Sequence, residues 1–162
     1  MDFSITDDQA LMVENLKELL AKEASETYLA ECYKNHEMPW KAWRALGKNG
    51  YLALSLSEEW GGSNADTMTQ VLVQETLSRY AQPISMHYSY PMGLLPIIEK
   101  FGTEEQKKRI IPPFVAGEKL IAMSITEPAA GSDDAAMTAT ATVKGDKVIL
   151  NGQKTWVTLG HI

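Results

Sequence analysis

The sequence has 162 residues, 44% of them hydrophobic and 22% charged, with a formal net charge of −6. That length holds one ordinary domain, or a small domain plus part of another, and the composition is that of a chain with a real core rather than a disordered one. The acidic balance argues against nucleic acid or an anionic membrane as the main partner, since both select basic faces. It leaves open a phosphate-bearing ligand held by backbone N–H groups.

The chain opens acidic and amphipathic, unlike a signal peptide, and no apolar run reaches the length of a membrane span. Thr6-Asp7-Asp8-Gln9 has the spacing of a capping box, and Val13, Leu16 and Leu20, flanked by Leu11 and Leu19, recur at helical spacing after it. A second helix is expected over residues 25–35. Pro39 suits the first turn of a third, whose Trp40, Trp43 and Leu46 form an apolar stripe ending near Gly47 or Gly50. Residues 51–56 alternate and are too short for a helix, and the glycine pair Gly61-Gly62 marks a loop. Asp66 or Thr67 caps a long helix through Val71, Leu72, Glu75, Leu77 and Ser78, and another starts after Gln82-Pro83. Thr103-Glu104-Glu105-Gln106 is a further capping box, with Lys107, Lys108 and Arg109 beyond it, and Pro112-Pro113 is expected to end that helix.

From about residue 119 the period changes. Residues 121–125 read as a strand, and residues 138–143 alternate Thr with Ala or Val. Val148, Ile149 and Leu150 lead into Asn151-Gly152, a hairpin-type turn pair, with another strand expected over residues 154–158. Helices followed by strands predict an α+β chain in two parts, 1–118 and 119–162. Few strands leave bare edges and an uncovered apolar face, so the second part is expected to be cut short or completed by another chain. One cysteine, Cys32, excludes an internal disulfide, and His36, His87 and His161 have no ligand spacing. A reducing cytoplasmic compartment is the simplest reading.

Two segments could carry chemistry. In Ser124-Ile125-Thr126-Glu127-Pro128-Ala129-Ala130-Gly131-Ser132-Asp133, a strand gives way to small residues that let backbone approach a bulky ligand. Gly131 can take a positive φ, and the N–H groups of Gly131 and Ser132, with the Ser132 hydroxyl, suit an anion nest. A turn joining two strands accounts for the same residues. In Trp156-Val157-Thr158, strand geometry would put the indole and the hydroxyl on one face, as a planar heterocycle requires. A core Trp beside a solvent-facing Thr accounts for them equally.

Together, Phe101-Gly102-Thr103-Glu104-Glu105-Gln106-Lys107, the Thr-Glu-Pro-x-x-Gly-Ser-Asp core at 126–133 and Asn151-Gly152-Gln153-Lys154-Thr155-Trp156-Val157-Thr158 resemble the acyl-CoA dehydrogenase family in order and spacing. Gly50-Tyr51-Leu52 with Glu58-Glu59-Trp60-Gly61-Gly62 extends the resemblance over essentially the whole chain. It implies an N-terminal helical domain and the first strands of a β-barrel-like middle domain, with the chain stopping before a C-terminal helical bundle. FAD would lie against Met123, Ile125, Thr126, Gly131, Ser132, Trp156, Val157 and Thr158. Ile125 and Thr126 would bond the pyrimidine edge of the flavin, Trp156 would pack near the ring and Thr158 would donate toward N5. Ser132 would also meet the substrate.

The implied reaction is α,β-dehydrogenation of an acyl-CoA thioester, as in fatty acid metabolism, with electrons passing to an electron-transfer flavoprotein in a homo- or hetero-oligomer. The family's catalytic glutamate belongs to the C-terminal bundle, so no catalytic base is assigned here, and Glu127 is read as structural. Met123 stands where the family often has an aromatic residue, and Ala129 where it often has glycine. A non-catalytic chain that completes a flavin site in a hetero-oligomer, and a flavin oxidase or monooxygenase on the same scaffold, are the alternatives.

Overall fold

The computed structural model describes residues 3–160; His161 and the chain end lie outside them. The chain divides into two compact units, one up to Ile121 and the other from Ala122. The first is built from six α-helices: α1 (Asp7–Glu23), α2 (Glu26–Asn35), α3 (Trp40–Lys48), α4 (Thr67–Tyr80), α5 (Gln82–Phe101) and α6 (Glu104–Val115).

Their starts are written in single residues. Thr6 accepts from the Gln9 amide while the Gln9 side chain returns to the Thr6 amide, and Thr103 and Gln106 repeat the device at α6. Ser25 caps α2, and Asp66 caps α4 by accepting from the Thr69 amide at 2.7 Å. Those hydrogen bonds hold the Asp66 carboxyl below its usual range.

The core of this unit gathers Leu16 and Leu20 of α1, Trp43 and Leu46 of α3, Val73 and Leu77 of α4, Ile84, Tyr88 and Leu95 of α5, and Ile111 and Phe114 of α6. Helices α1 and α5 each pack on α4. Trp43 meets Phe114 edge to face, with ring centroids 5.7 Å apart, and its indole N–H reaches the Lys119 carbonyl at 3.4 Å. Gly47 makes this approach of α3 to the end of α6 possible: a Cβ there would lie 2.7 Å from the Ala116 carbonyl carbon and the Val115 oxygen.

Two expectations are corrected in this unit. Residues 51–56 do not form an alternating element. Tyr51–Ala53 is a 3-10 turn, and Tyr51, Leu52, Ala53, Leu54 and Leu56 are all buried, because the core closes on this segment from every side. Helix α6 does not stop at Pro112-Pro113 but continues to Val115. Proline has a helical φ but removes a donor and crowds the preceding turn; here the burial of Ile111 and Phe114 offsets that cost. The Pro113 carbonyl then caps the exit by accepting from the Glu118 and Lys119 amides.

The second unit carries one antiparallel hairpin, β1 (Thr140–Lys144) and β2 (Lys147–Asn151), with Thr140 opposite Asn151 and Lys144 opposite Lys147. This register puts the two-residue turn at Gly145-Asp146, where Gly145 has φ +62°, and not at Asn151-Gly152. Both pairs are turn-forming, and the cross-strand register chooses between them. Residues 121–125 and 154–158 form no ladder among the described residues. Trp156 has φ +57°, a left-handed conformation that no strand contains, so Trp156 and Thr158 do not share a strand face.

Candidate functional site

The candidate segments lie in the second unit, and a buried carboxylate organises them. Glu127, Pro128, Ala129 and Ala130 make a tight turn closed by two backbone bonds, Glu127 N–H to the Ala130 carbonyl at 2.9 Å and its reciprocal at 3.2 Å. Inside it the Glu127 side chain is only 4% exposed. It accepts from the Thr138 amide at 2.7 Å, the Thr138 hydroxyl at 2.9 Å, the Ala139 amide at 3.0 Å and the Lys154 ammonium at 3.0 Å. These donors, the Thr138 amide first and Lys154 next, outweigh desolvation and pull the Glu127 carboxyl down to about 2. A carboxylate so engaged is a latch and a poor proton acceptor.

Lys154 completes the latch. Its ammonium also donates to the Ile125 carbonyl at 2.7 Å and approaches the Met137 sulfur at 3.2 Å. One residue on, the Thr155 amide donates to the Thr126 carbonyl at 2.8 Å. Two segments far apart in the chain are thereby stitched side by side, and Ile125, Thr126, Trp156, Val157 and Thr158 fall in one neighbourhood.

What these residues leave unused is equally specific. Among the described residues, the N–H groups of Ile125, Thr126, Gly131, Ser132, Trp156 and Thr158 have no hydrogen-bond partner. The Thr155 hydroxyl is buried with none. Met123, Thr126, Val157 and Thr158 are half-buried, Gly131 and Ser132 are exposed, and the Trp156 indole is 90% exposed. Gly131 does not use the positive φ open to glycine, and a Cβ there would meet nothing within 4 Å. Its smallness therefore answers no contact within the chain.

Lys154 and its bond to Glu127 escaped the sequence reading. The available signal was an acid beside proline in a run of small residues and a lysine two residues before a tryptophan, neither with a local partner. No group of three or more metal-ligating side chains occurs among the described residues, and no described helix is long and apolar enough to cross a membrane.

Residues 6–118 match the N-terminal domain of acyl-CoA dehydrogenases, and residues 122–162 match the middle domain of the same family. The chain is 36% identical over 159 residues to a probable acyl-CoA dehydrogenase, YdiO, of Escherichia coli K12, covering 98% of this chain and 41% of that protein. It is 35% identical over 153 residues to a 3-(aryl)acrylate reductase of Clostridium sporogenes, covering 93% and 40%. The fold superimposes on an acyl-CoA dehydrogenase from Bacillus anthracis solved in complex with FAD, with a TM-score of 0.80 and 29% identity over 95% of this chain and 27% of that one. The chain thus spans about 40% of the length of the curated relatives it matches. With both domain matches in register with the helical unit and the hairpin unit, the chain belongs to the acyl-CoA dehydrogenase family.

Proposed function

We propose that this chain supplies one wall of an FAD site in an FAD-dependent acyl-CoA dehydrogenase. The observation that carries the reading is the stitch between Thr126 and Thr155, which places free backbone donors and an exposed indole in one neighbourhood. FAD fits these residues: a planar heterocycle with a polar edge calls for an aromatic surface beside unpaired donors. The buried Thr155 hydroxyl, which finds no partner among the described residues, fits the same demand.

Bound FAD would supply the hydride acceptor for α,β-dehydrogenation of an acyl-CoA thioester. The chain's own residues bind and orient. The Ile125 and Thr126 amides and the Thr126 hydroxyl would hold the pyrimidine edge, Met123 and Val157 would border the ring, and Trp156 would pack near it. Thr158 would donate toward the reacting nitrogen. Gly131 and Ser132 offer small size and free N–H groups to a phosphate, and Ser132 meets the thioester substrate. Glu127 takes no proton, because Lys154 and the Thr138 and Ala139 amides occupy its oxygens. No residue of this chain is assigned as the base. An electron-transfer flavoprotein as acceptor and an oligomeric assembly complete the reading.

The test is the flavin absorbance spectrum of the whole gene product that contains this chain, before and after anaerobic addition of acyl-CoA thioesters of different length. Co-purified FAD that bleaches with one of them is expected. FAD that no acyl-CoA bleaches would remove the dehydrogenase assignment, and a protein that neither holds nor takes up FAD would remove the flavin site.

A further inference from the structure

The ammonium of Lys154 is spent inside the protein. Its side chain is only 28% exposed, and it reaches three acceptors: the Ile125 carbonyl, Glu127 and the Met137 sulfur. The first is the informative one. The Ile125 carbonyl and the Thr126 N–H are the two ends of a single peptide group, and that N–H has no partner among the described residues. A cation bonded to an amide oxygen draws electron density from the nitrogen and makes the N–H a stronger donor, an effect that low local dielectric enlarges.

Glu127 accepts from the same ammonium at 3.0 Å, and its negative charge offsets part of the positive charge beside the peptide. A fold support alone would be served by the Thr138 and Ala139 bonds to Glu127 and by the Thr155 bond to Thr126. A lysine seated on the carbonyl at 2.7 Å adds a charge where a packing residue would add none.

We propose that Lys154 is a positioning residue for the flavin: its ammonium, balanced by Glu127, polarises the Ile125–Thr126 peptide and so sets how much more tightly that amide holds the reduced flavin than the oxidised one. The inference rests on the FAD reading above. Two-electron reduction with uptake of one proton leaves the flavin ring anionic, with the charge at its pyrimidine edge, so a stronger donor there favours the reduced form. Lys154 and Glu127 thereby act with opposite sign on the same peptide.

The experiment is the two-electron reduction potential of bound FAD in the whole gene product, compared with Lys154→Met, Glu127→Gln and Lys154→Arg. Lys154→Met is expected to weaken the preference for reduced over oxidised FAD by roughly tenfold, a fall of about 30 mV for a two-electron couple. Glu127→Gln, which unmasks the ammonium, is expected to shift the potential upward, and Lys154→Arg to restore most of the parent value. Shifts of the same sign in Lys154→Met and Glu127→Gln overturn the proposal, as does an unchanged potential in a Lys154→Met protein that still holds FAD.

If Lys154→Met loses FAD altogether, Glu127→Gln decides by its sign. If both lose FAD and Lys154→Arg does not keep it either, the pair only supports the fold and the proposal fails. A parent protein without flavin refutes the FAD reading itself, and this is seen before any variant is compared.

Discussion

The amide of Thr155 donates to the carbonyl of Thr126 across 2.8 Å, joining two segments that flank the hairpin and themselves lie outside any strand. Beside it, Lys154 and Glu127 form an ion pair with 28% and 4% side-chain exposure. A small, irregular and mostly exposed unit thus has a rigid corner, and the candidate flavin wall is built on it.

Trp156 gives the cleanest separation of binding from stability. Its side chain is 90% exposed, so Trp156→Ala removes almost no packing within the chain. We expect the unfolding free energy in urea to stay within about 0.5 kcal/mol of the parent, while the affinity for FAD, titrated by flavin fluorescence, falls. An unchanged FAD affinity would remove Trp156 from the site.

Glu127 predicts an acid-sensitive latch. Its carboxyl is held at about 2 instead of the ordinary 4.5, so the folded form binds fewer protons than the unfolded chain between those values. The stabilisation is complete above pH 4.5, fades as the pH falls through this window, and is absent below about 2. Denaturant midpoints of the parent and of Glu127→Gln, measured from neutral pH downward, should therefore converge as acid is added. A constant difference between them would show that the carboxylate is not the source.

Gly47, in the last turn of α3, and Gly93, within α5, form a contrasting pair. A Cβ at Gly47 would stand 2.7 Å from backbone atoms of Val115 and Ala116, whereas one at Gly93 would meet nothing within 4 Å. Gly47→Ala should cost about 1–3 kcal/mol through overpacking. Gly93→Ala should stabilise by about 1 kcal/mol through helix propensity. Urea unfolding followed by circular dichroism reads both.

Phe114 tests the helix that runs through two prolines. It is fully buried and stacked edge to face on Trp43. Phe114→Ala should cost about 3–5 kcal/mol in the same assay, and the loss of its anchor should fray α6 from Pro112 onward. A cost below about 1 kcal/mol would mean that the end of α6 does not depend on this packing.

The helical unit was legible in the sequence because its instructions are local. Thr6 with Gln9, Ser25, Asp66 and Thr103 with Gln106 sit within a turn of the amides they cap, and the periodic apolar residues Leu16, Leu20, Trp43 and Leu46 lie on the buried faces. The Thr-Glu-Pro and Lys-Thr-Trp motifs were equally plain as strings, and they were enough for the family. Their arrangement was not. Pro112-Pro113 reads as a stop until Phe114 is seen to be buried, Asn151-Gly152 reads as the hairpin turn until Thr140 pairs with Asn151, and residues 154–158 read as a strand until Trp156 is found left-handed. In each case two local readings are close in energy, and a partner distant in the chain decides between them. Lys154 and Glu127 are the extreme case: their charges carry no periodic or capping signal, and the bond exists only because folding brings the Ile125 carbonyl, the Thr138 amide and the lysine to one point. Composition, caps and motifs determined which elements form and which family they serve. The tertiary structure alone decided how the candidate site residues are held together, because that is settled by long-range hydrogen bonds to a buried charge.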